Sequence, residues 1–248
     1  MIKNLINAVE FLTIFTVSRK HEVTEGDLAK SMIYFPVVGF LIGVMLNYSD
    51  KALSWVVPPS IANVLLLIML VLITRALHID GLADTLDGMM GGYDRMSRLE
   101  IMKDSRIGTA GALGVTLLML VKYLCFNNLF DNDKASALLS APMLSRWSQI
   151  LMVFRSNYGR EQGMSGAFIG HLRIGGMIAT SAVALGLAAF VNGIWAAILI
   201  SGVALFTLIC RWYIMRKLGG VTGDAIGAVS ELNETLTLLL FVILSDRR

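Results

Sequence analysis

Seven apolar runs, each close to twenty residues long, dominate the chain: 31–48, 61–79, 109–126, 135–153, 174–191, 194–213 and 229–245. A helix needs about 20 apolar residues to cross roughly 30 Å of hydrocarbon. In lipid every backbone N–H and C=O must be satisfied internally, so a spanning segment is a helix or part of a closed barrel. The runs lack the alternation of a barrel strand and read as helices. Charge is too scarce for a soluble alternative. Asp, Glu, Lys and Arg make up 16% of the 248 residues, against about 25% in an average soluble domain, and mean hydropathy is +0.69. The expectation is an all-α, polytopic transmembrane bundle of six to seven spans, one domain over residues 1–248, with residues 1–17 forming an extra span or an interfacial helix.

The connections alternate in charge. Loops 18–30, 80–108, 154–173 and 211–228 carry thirteen Lys and Arg, whereas 49–60, 127–134 and 192–193 carry only Lys51 and Lys134. Basic loops stay on the cytoplasmic side, so these four are expected to face the cytoplasm of a cell (inner) membrane. Arg247 and Arg248 would then lie outside, unless the last helix stops short of a full crossing. Pro58-Pro59 and Asn192-Gly193 mark turns. The N-terminus is interrupted by Glu10 and has no small-residue cleavage site, unlike a cleavable signal. Cys125 and Cys210 sit in apolar runs and read as small buried hydrophobes. Net charge is +3 without a basic run, which excludes nucleic acid as a partner.

The scarce charges are concentrated. Residues 78–108, HIDGLADTLDGMMGGYDRMSRLEIMKDSRIG, hold six of the eighteen acids. Asp80, Asp84 and Asp87 are spaced i, i+4, i+7. On a continuing helix they fall within about 60° of one another. Three carboxylates in register repel unless a cation neutralises them, and hard oxygen ligands on adjacent turns suit Mg²⁺, which shares its remaining sites with water and phosphate. Lys103, Ser105 and Arg106 come just before a helix expected to start near Thr109, an arrangement suited to phosphate. Asp224, Glu231 and Glu234 would form a second acidic face, placed to complete a metal site or hold a substrate hydroxyl. Arg146, deep in the run 135–153, needs a carboxylate or phosphate partner. Lys122 can snorkel to the interface. Arg75, just before the acidic cluster, reads as its neutralising cation, and His78 as a substrate contact or a structural hydrogen-bonder. His21 and His171 carry no spacing signal.

These groups suit phosphoryl or phosphodiester transfer: a metal neutralises a diphosphate, cations share the developing charge, and a carboxylate outside the metal's ligands takes the proton of the attacking hydroxyl. No nucleotide-binding Gly-rich loop or kinase signature is present. A transporter also carries carboxylates near membrane spans, but usually close to the midplane rather than at helix ends.

HIDGLADTLDG at 78–88 followed by IMKDSRIGTAG at 101–111 resembles the cobalamin synthase family, the adenosylcobinamide-GDP ribazoletransferases. YFPVVGFLIG at 34–43, APMLSR at 141–146 and GGVTGDAIGAVSELNE at 219–234 match further blocks in the family's order. FLTIFTV at 11–17 stands where the family often reads closer to FTRIPV. The resemblance implies a membrane-bound, Mg²⁺-dependent enzyme. It joins adenosylcobinamide-GDP to α-ribazole, or its 5′-phosphate, to give adenosylcobalamin, or its 5′-phosphate, and GMP. The ribose 3′-hydroxyl attacks the phosphorus nearer cobinamide. Asp80, Asp84 and Asp87 are then the metal ligands, and Lys103, Arg106 and Arg146 contact phosphate. Asp104 is the base with Asp87 as its competitor. Ser105, His78, Asp224, Glu231 and Glu234 bind or orient substrate. The acidic block is also similar to the opening of the CDP-alcohol phosphotransferase motif, D-G-x-x-A-R, but has Asp84 for its Ala and Thr85 for its Arg.

Overall fold

The computed structural model describes residues 2–17, 24–129, 131–160, 169 and 172–245. His21, His171, Arg247 and Arg248 lie outside them. The helices are α1 (Ile2–Leu12), α2 (Glu25–Ser31), α3 (Phe35–Leu53), α4 (Pro59–Ile73), α5 (Leu77–Gly91), α6 (Arg95–Ile101), α7 (Thr109–Asn127), α8 (Asp131–Val153), α9 (Ile174–Asn192), α10 (Ala196–Leu218) and α11 (Gly223–Ser245). No β-strand occurs among the described residues; Tyr158 and Val221 form one isolated bridge.

The bundle is inside out by the standards of a soluble protein. Leu113, Leu117, Leu120 and Leu124 expose an apolar stripe along α7, and Leu205, Leu208, Ile209 and Trp212 do so on α10. Ser145, Arg146, Ser148, Gln149, Glu231, Asn233 and Glu234 are buried. In water such stripes would form a large unpartnered apolar surface; in lipid they are matched. By length and hydropathy, four stretches of described residues are apolar enough to cross a membrane: Gly26–Leu53, Thr109–Asn127, Ile174–Leu218 and Gly223–Ser245. This is a multi-pass membrane bundle.

Two of the expected spans, 61–79 and 135–153, take a different form, whereas 174–191 and 194–213 are two helices joined at Asn192-Gly193 as expected. The run 61–79 breaks between α4 and α5, which meet at 87°. Arg75 and Ala76 both have φ of 53° at the break. The 45-residue stretch Ile174–Leu218 doubles back at Gly193, whose φ is 55°. Along α8, α9 meets Trp147 at Ser181 and Ser140 at Asn192, whereas α10 leaves from Asn192 and reaches Ser156, just past the end of α8, at Arg211, so α9 and α10 run in opposite directions. The run 135–153 lies in α8, which is not apolar enough to qualify alone. It is the bundle's central helix, contacting α3, α9, α10 and α11, and every residue from Ser140 to Val153 is buried. A helix enclosed by protein can carry polar groups that lipid would not tolerate.

Close approach of α3 to α8 depends on Gly39 and Gly43, spaced as small residues often are where membrane helices touch. A Cβ on Gly43 would fall 2.7 Å from Leu139 Cα. Both ends of the bundle are tied by polar side chains. At one end, Lys134 binds Asp50 at 2.5 Å and Asn63 at 2.7 Å, and Ser245 donates to Asp133 at 3.0 Å. That last bond puts the C-terminal end of α11 beside the α3–α4 and α7–α8 connections, so the last helix runs the full height of the bundle.

The deepest contacts are ionic. Lys122 Nζ lies 2.6 Å from Glu231 Oε2 and 2.7 Å from Glu234 Oε1, and Arg146 Nη1 pairs with Glu234 Oε2. All four side chains are 4% exposed or less. Lys122 therefore does not snorkel; it joins α7 to α11. Removing one partner of such a set leaves a charge buried without compensation, at a cost of about 3–5 kcal/mol. Lys122→Met is expected to lower the thermal midpoint sharply in detergent, and the double variant Lys122→Met with Glu231→Gln to recover most of the loss. Equal midpoints for the single variant and the parent would contradict this account.

Candidate active site

The carboxylates stand where two helices touch backbone to backbone. α5 packs alongside the first turns of α11 and antiparallel to it, with Gly81 against Asp224 and His78 against Gly227. At Gly81 the approach is so close that a Cβ would fall 2.9 Å from Asp224 Cα. This contact sets Asp80 and Asp84 beside Asp224. Arg75, expected to neutralise the acidic cluster, instead donates to the carbonyls of Glu10 and Phe11 at 3.1 and 3.3 Å. A cation on the last carbonyls of a helix is a favourable cap, and this one holds α1 over the bend.

Between α1, α3, α5, α8 and α11 lies a cavity of about 230 Å³. Its polar part includes Asp80, Asp224 and Arg160, and His78 and Gln149. Arg160 Nη2 lies 2.6 Å from Asp224 Oδ2 and donates to Met102 O at 3.2 Å. It therefore links the cavity rim to the loop that carries Lys103. His78 Nε2 is 3.0 Å from Gln149 Nε2, which also donates to Ser230 Oγ at 2.8 Å. Ser230 and Ser145 share a hydrogen bond at 2.7 Å, and Arg146 donates to Ser145 Oγ at 3.2 Å. A continuous polar chain thus runs from the cavity floor to the buried ion pairs.

Asp80, Asp84 and Asp87 share one face of α5, but their surroundings differ. Asp87 accepts from Gly108 N–H at 2.7 Å and Gly111 N–H at 2.8 Å. It caps α7 and fastens it to α5. Asp84 lies in the field of Asp80, Asp224, Arg160 and Asp87. No side chain among the described residues is hydrogen-bonded or ion-paired to Asp80 or Asp84. Two unpaired carboxylates one turn apart suit a hydrated Mg²⁺, which takes one or two carboxylates and keeps several waters. Among the described residues no three Asp, Glu, His or Cys side chains close on a common point, so the fit is to a shared, solvated ion rather than to a closed protein cage.

Other residues singled out from the sequence are dispersed. Asp104 is gripped by the Arg106 guanidinium, at 3.0 Å from Nε, and by Arg106 N–H at 3.0 Å. These contacts hold its carboxyl down to about 2. Lys103, Ser105 and Arg106 are exposed on the loop before α7. Glu231, Glu234 and Arg146 belong to the buried ionic set, and none lines the cavity. Asp224 is thus separated from the two glutamates expected beside it. Arg160, Gln149 and Tyr158 do line it, although the sequence had not singled them out. Arg160 had counted only as one basic residue in a loop, with no spacing to mark it. Gln149 follows Arg146 by one turn of α8, and that polar face was the available signal.

Asp87→Ala is expected to remove the cap of α7 and lower stability by about 1 kcal/mol, within the usual 0.5–2 range for a lost N-terminal cap. Asp84→Ala, which breaks no hydrogen bond, should leave the unfolding midpoint unchanged or raise it. Thermal unfolding of the two purified variants in one detergent checks this.

A family model described as cobalamin-5-phosphate synthase matches residues 4–242. The curated relatives include adenosylcobinamide-GDP ribazoletransferases of Geotalea daltonii, 36% identical over the full length of both chains, and of Syntrophobacter fumaroxidans, 39% identical over 93% of this chain and 94% of that one. A third, from Thermoanaerobacter sp. (strain X514), is 36% identical over 98% of each. No solved structure matches the chain.

Proposed function

The chain belongs to the cobalamin-5-phosphate synthase family, and from that membership we propose that it joins adenosylcobinamide-GDP to α-ribazole or its 5′-phosphate and releases GMP. The observation that carries this reading is the unpaired Asp80–Asp84 couple, set beside Asp224 and Arg160 at a cavity on the end of the bundle. That end also bears the connections rich in Lys and Arg, and the positive-inside rule assigns it to the cytoplasm, where soluble nucleotides are available.

The reaction is a substitution at phosphorus. The acceptor's ribose 3′-oxygen bonds to the phosphorus nearer cobinamide, the bond to the bridging oxygen of the diphosphate breaks, and GMP leaves with that oxygen. Asp80 and Asp84 would hold Mg²⁺, with Asp224 near enough to share it; the ion supplies charge neutralisation on the diphosphate. Arg160 offers a guanidinium at the rim for a phosphate oxygen, a pairing strengthened by its two-pronged geometry. Asp87, by accepting from Gly108 and Gly111, keeps the start of α7 and the preceding loop that carries Lys103 and Arg106 beside α5.

Where the ion takes only Asp80 and Asp84, Asp224 is the cavity carboxylate left to accept the proton of the 3′-hydroxyl. Asp104, the base suggested by the sequence, is committed to Arg106. Glu231 and Glu234 serve at a distance, by anchoring the polar chain that ends at His78. The four buried charges neutralise one another, two cations against two anions, which leaves no open line of acidic groups for a transported cation.

Purified protein supplied with Mg²⁺, adenosylcobinamide-GDP and α-ribazole is expected to release GMP. EDTA should stop release and added Mg²⁺ restore it. Asp84→Ala should abolish turnover with helicity and membrane insertion intact. Asp104→Asn should stay within about threefold of the parent, whereas loss of a true general base costs about 10²–10⁴-fold. Absence of GMP release, with ion flux in liposomes instead, would overturn the transferase reading.

A further inference from the structure

A second cavity opens at the basic end of the bundle, away from the carboxylates. It measures about 460 Å³ and lies where the first turn of α9 meets α2 and the 3₁₀ turn Met32–Tyr34 that follows it. Ala29, Ile33, Leu172 and Gly176 form its apolar wall, and Lys30 and Arg173 line it with them. A Cβ on Gly176 would come 3.1 Å from Leu172 Cδ1 and 3.7 Å from Ile33 Cδ1, so a larger side chain there would take up part of the space.

Helix contacts give the level of this cavity in the membrane. Ser181 of α9 meets Trp147 of α8 at 3.2 Å. Ile174, seven residues before Ser181, and Val153, six residues after Trp147, are both about 10 Å nearer the basic end. The start of α9 is therefore level with the end of α8. Arg211 of α10 reaches the same level through Ser156. Beside Arg211, Trp212 and Tyr213 are exposed, with Arg216 4.7 Å from the Trp212 ring and Lys217 5.8 Å from that of Tyr213. Exposed Trp and Tyr mark the headgroup layer of a bilayer, and long cationic side chains reach into it. The cavity thus opens at headgroup level.

Two cations face this space, and neither has a partner. Asp27, three residues before Lys30, is bound to Lys3 at 3.1 Å. No side chain among the described residues is hydrogen-bonded or ion-paired to the side chain of Lys30 or Arg173. Below the cavity, Ile174, Ile178 and Leu185 are 60%, 63% and 45% exposed, at spacings that put them on one face of α9.

We propose that this cavity holds the headgroup of an anionic phospholipid of the phosphatidylglycerol type, with its phosphodiester between Lys30 and Arg173 and an acyl chain along Ile174, Ile178 and Leu185. Basic pockets between membrane helices suit such headgroups. A zwitterionic headgroup is the poorer occupant, because it brings its own ammonium against two unpaired cations. The site is independent of the transfer reading. Its link to the catalytic cavity runs along the chain: Met32, two residues after Lys30, and Phe35 line that cavity, so a lipid that clamps α2 to α9 also steadies its apolar wall.

The test uses the full chain, reconstituted in nanodiscs of equal parts phosphatidylglycerol and phosphatidylcholine and then moved to a mild detergent. Native mass spectrometry counts the lipid that stays bound. The parent is expected to keep phosphatidylglycerol in preference to phosphatidylcholine. The double variant Lys30→Gln with Arg173→Gln should hold it about tenfold or more weakly. Both positions are exposed and unpaired, so folding is little affected. Lys217→Gln, which removes an interfacial cation outside the cavity, should match the parent. Phosphatidylglycerol added to delipidated protein should raise the thermal midpoint of the parent and of Lys217→Gln, but not that of the double variant. Equal retention of the two lipids by the parent, an equal loss in Lys217→Gln, or a rise in midpoint with inorganic phosphate alone as large as with phosphatidylglycerol would overturn the proposal.

Discussion

Lys122, Arg146, Glu231 and Glu234 meet inside the bundle, where none of them reaches water, and their mutual neutralisation fixes α7, α8 and α11 relative to one another. A charge near the centre of a membrane helix costs about 2.5–3.5 kcal/mol on insertion scales, so no single member is tolerable alone. Two cations facing two anions remove that penalty only in one register. A slip of one residue along α11 turns Glu231 and Glu234 about 100° away from their partners. The set therefore selects one packing as much as it stabilises it, a role known for some buried polar groups. The selected packing carries Ser145, Ser230 and Gln149 in line to His78, so the rigidity of the core reaches the cavity floor through hydrogen bonds.

The same logic explains why the central helix is the least apolar of the long helices. α8 touches protein on nearly every side, so its side chains answer to neighbouring helices rather than to lipid. Ser145, Arg146, Ser148 and Gln149 are all buried and each has a hydrogen-bond partner. Lipid contact falls to helices such as α4, α7, α9 and α10, whose outward faces are Leu, Ile, Val and aromatic residues. Hydropathy in this chain reports contact with lipid, not depth in the bundle.

That distinction decides what could be read in advance. The membrane bundle, the alternation of its ends and the concentration of acids in 78–108 follow from composition and periodicity, because lipid constrains every residue that touches it. The break at Thr74–Ala76 does not, because no Gly or Pro marks it and the positive φ values of Arg75 and Ala76 are imposed by tertiary contacts. Asp80 and Asp84 were legible as a helical stripe. Asp87 belonged to the same stripe, and only the arrival of α7 beside it shows that its oxygens cap Gly108 and Gly111. Glu231 and Glu234 were legible as acids needing partners. Lys122 could have been named from charge balance, since only four Lys or Arg lie within the apolar runs, Arg75, Lys122, Arg146 and Arg211. Arg160 could not, since a lone arginine in a loop has no periodicity to place it.

The bend between α4 and α5 has a geometric purpose. α4 is 15 residues long, about 22 Å at 1.5 Å per residue, and so falls short of the roughly 30 Å hydrocarbon core. Continued straight, the helix would carry Asp80 about 10 Å and Asp87 about 21 Å beyond Ile73, away from α11 and α8. Turned through 87°, α5 comes to lie against both α11 and α7, with Asp80 beside Asp224 at the start of α11 and Asp87 at the start of α7. Two non-glycine residues at positive φ cost about 1–3 kcal/mol each. Arg75's bonds to the carbonyls of Glu10 and Phe11 and the backbone contact at Gly81 oppose that cost. A straight helix would be easier to make, but it would leave hydrated carboxylates with no cavity beneath them. The strained turn joins the two things a diphosphate chemistry at a membrane needs: acids that remain in water, and an apolar wall within reach of them.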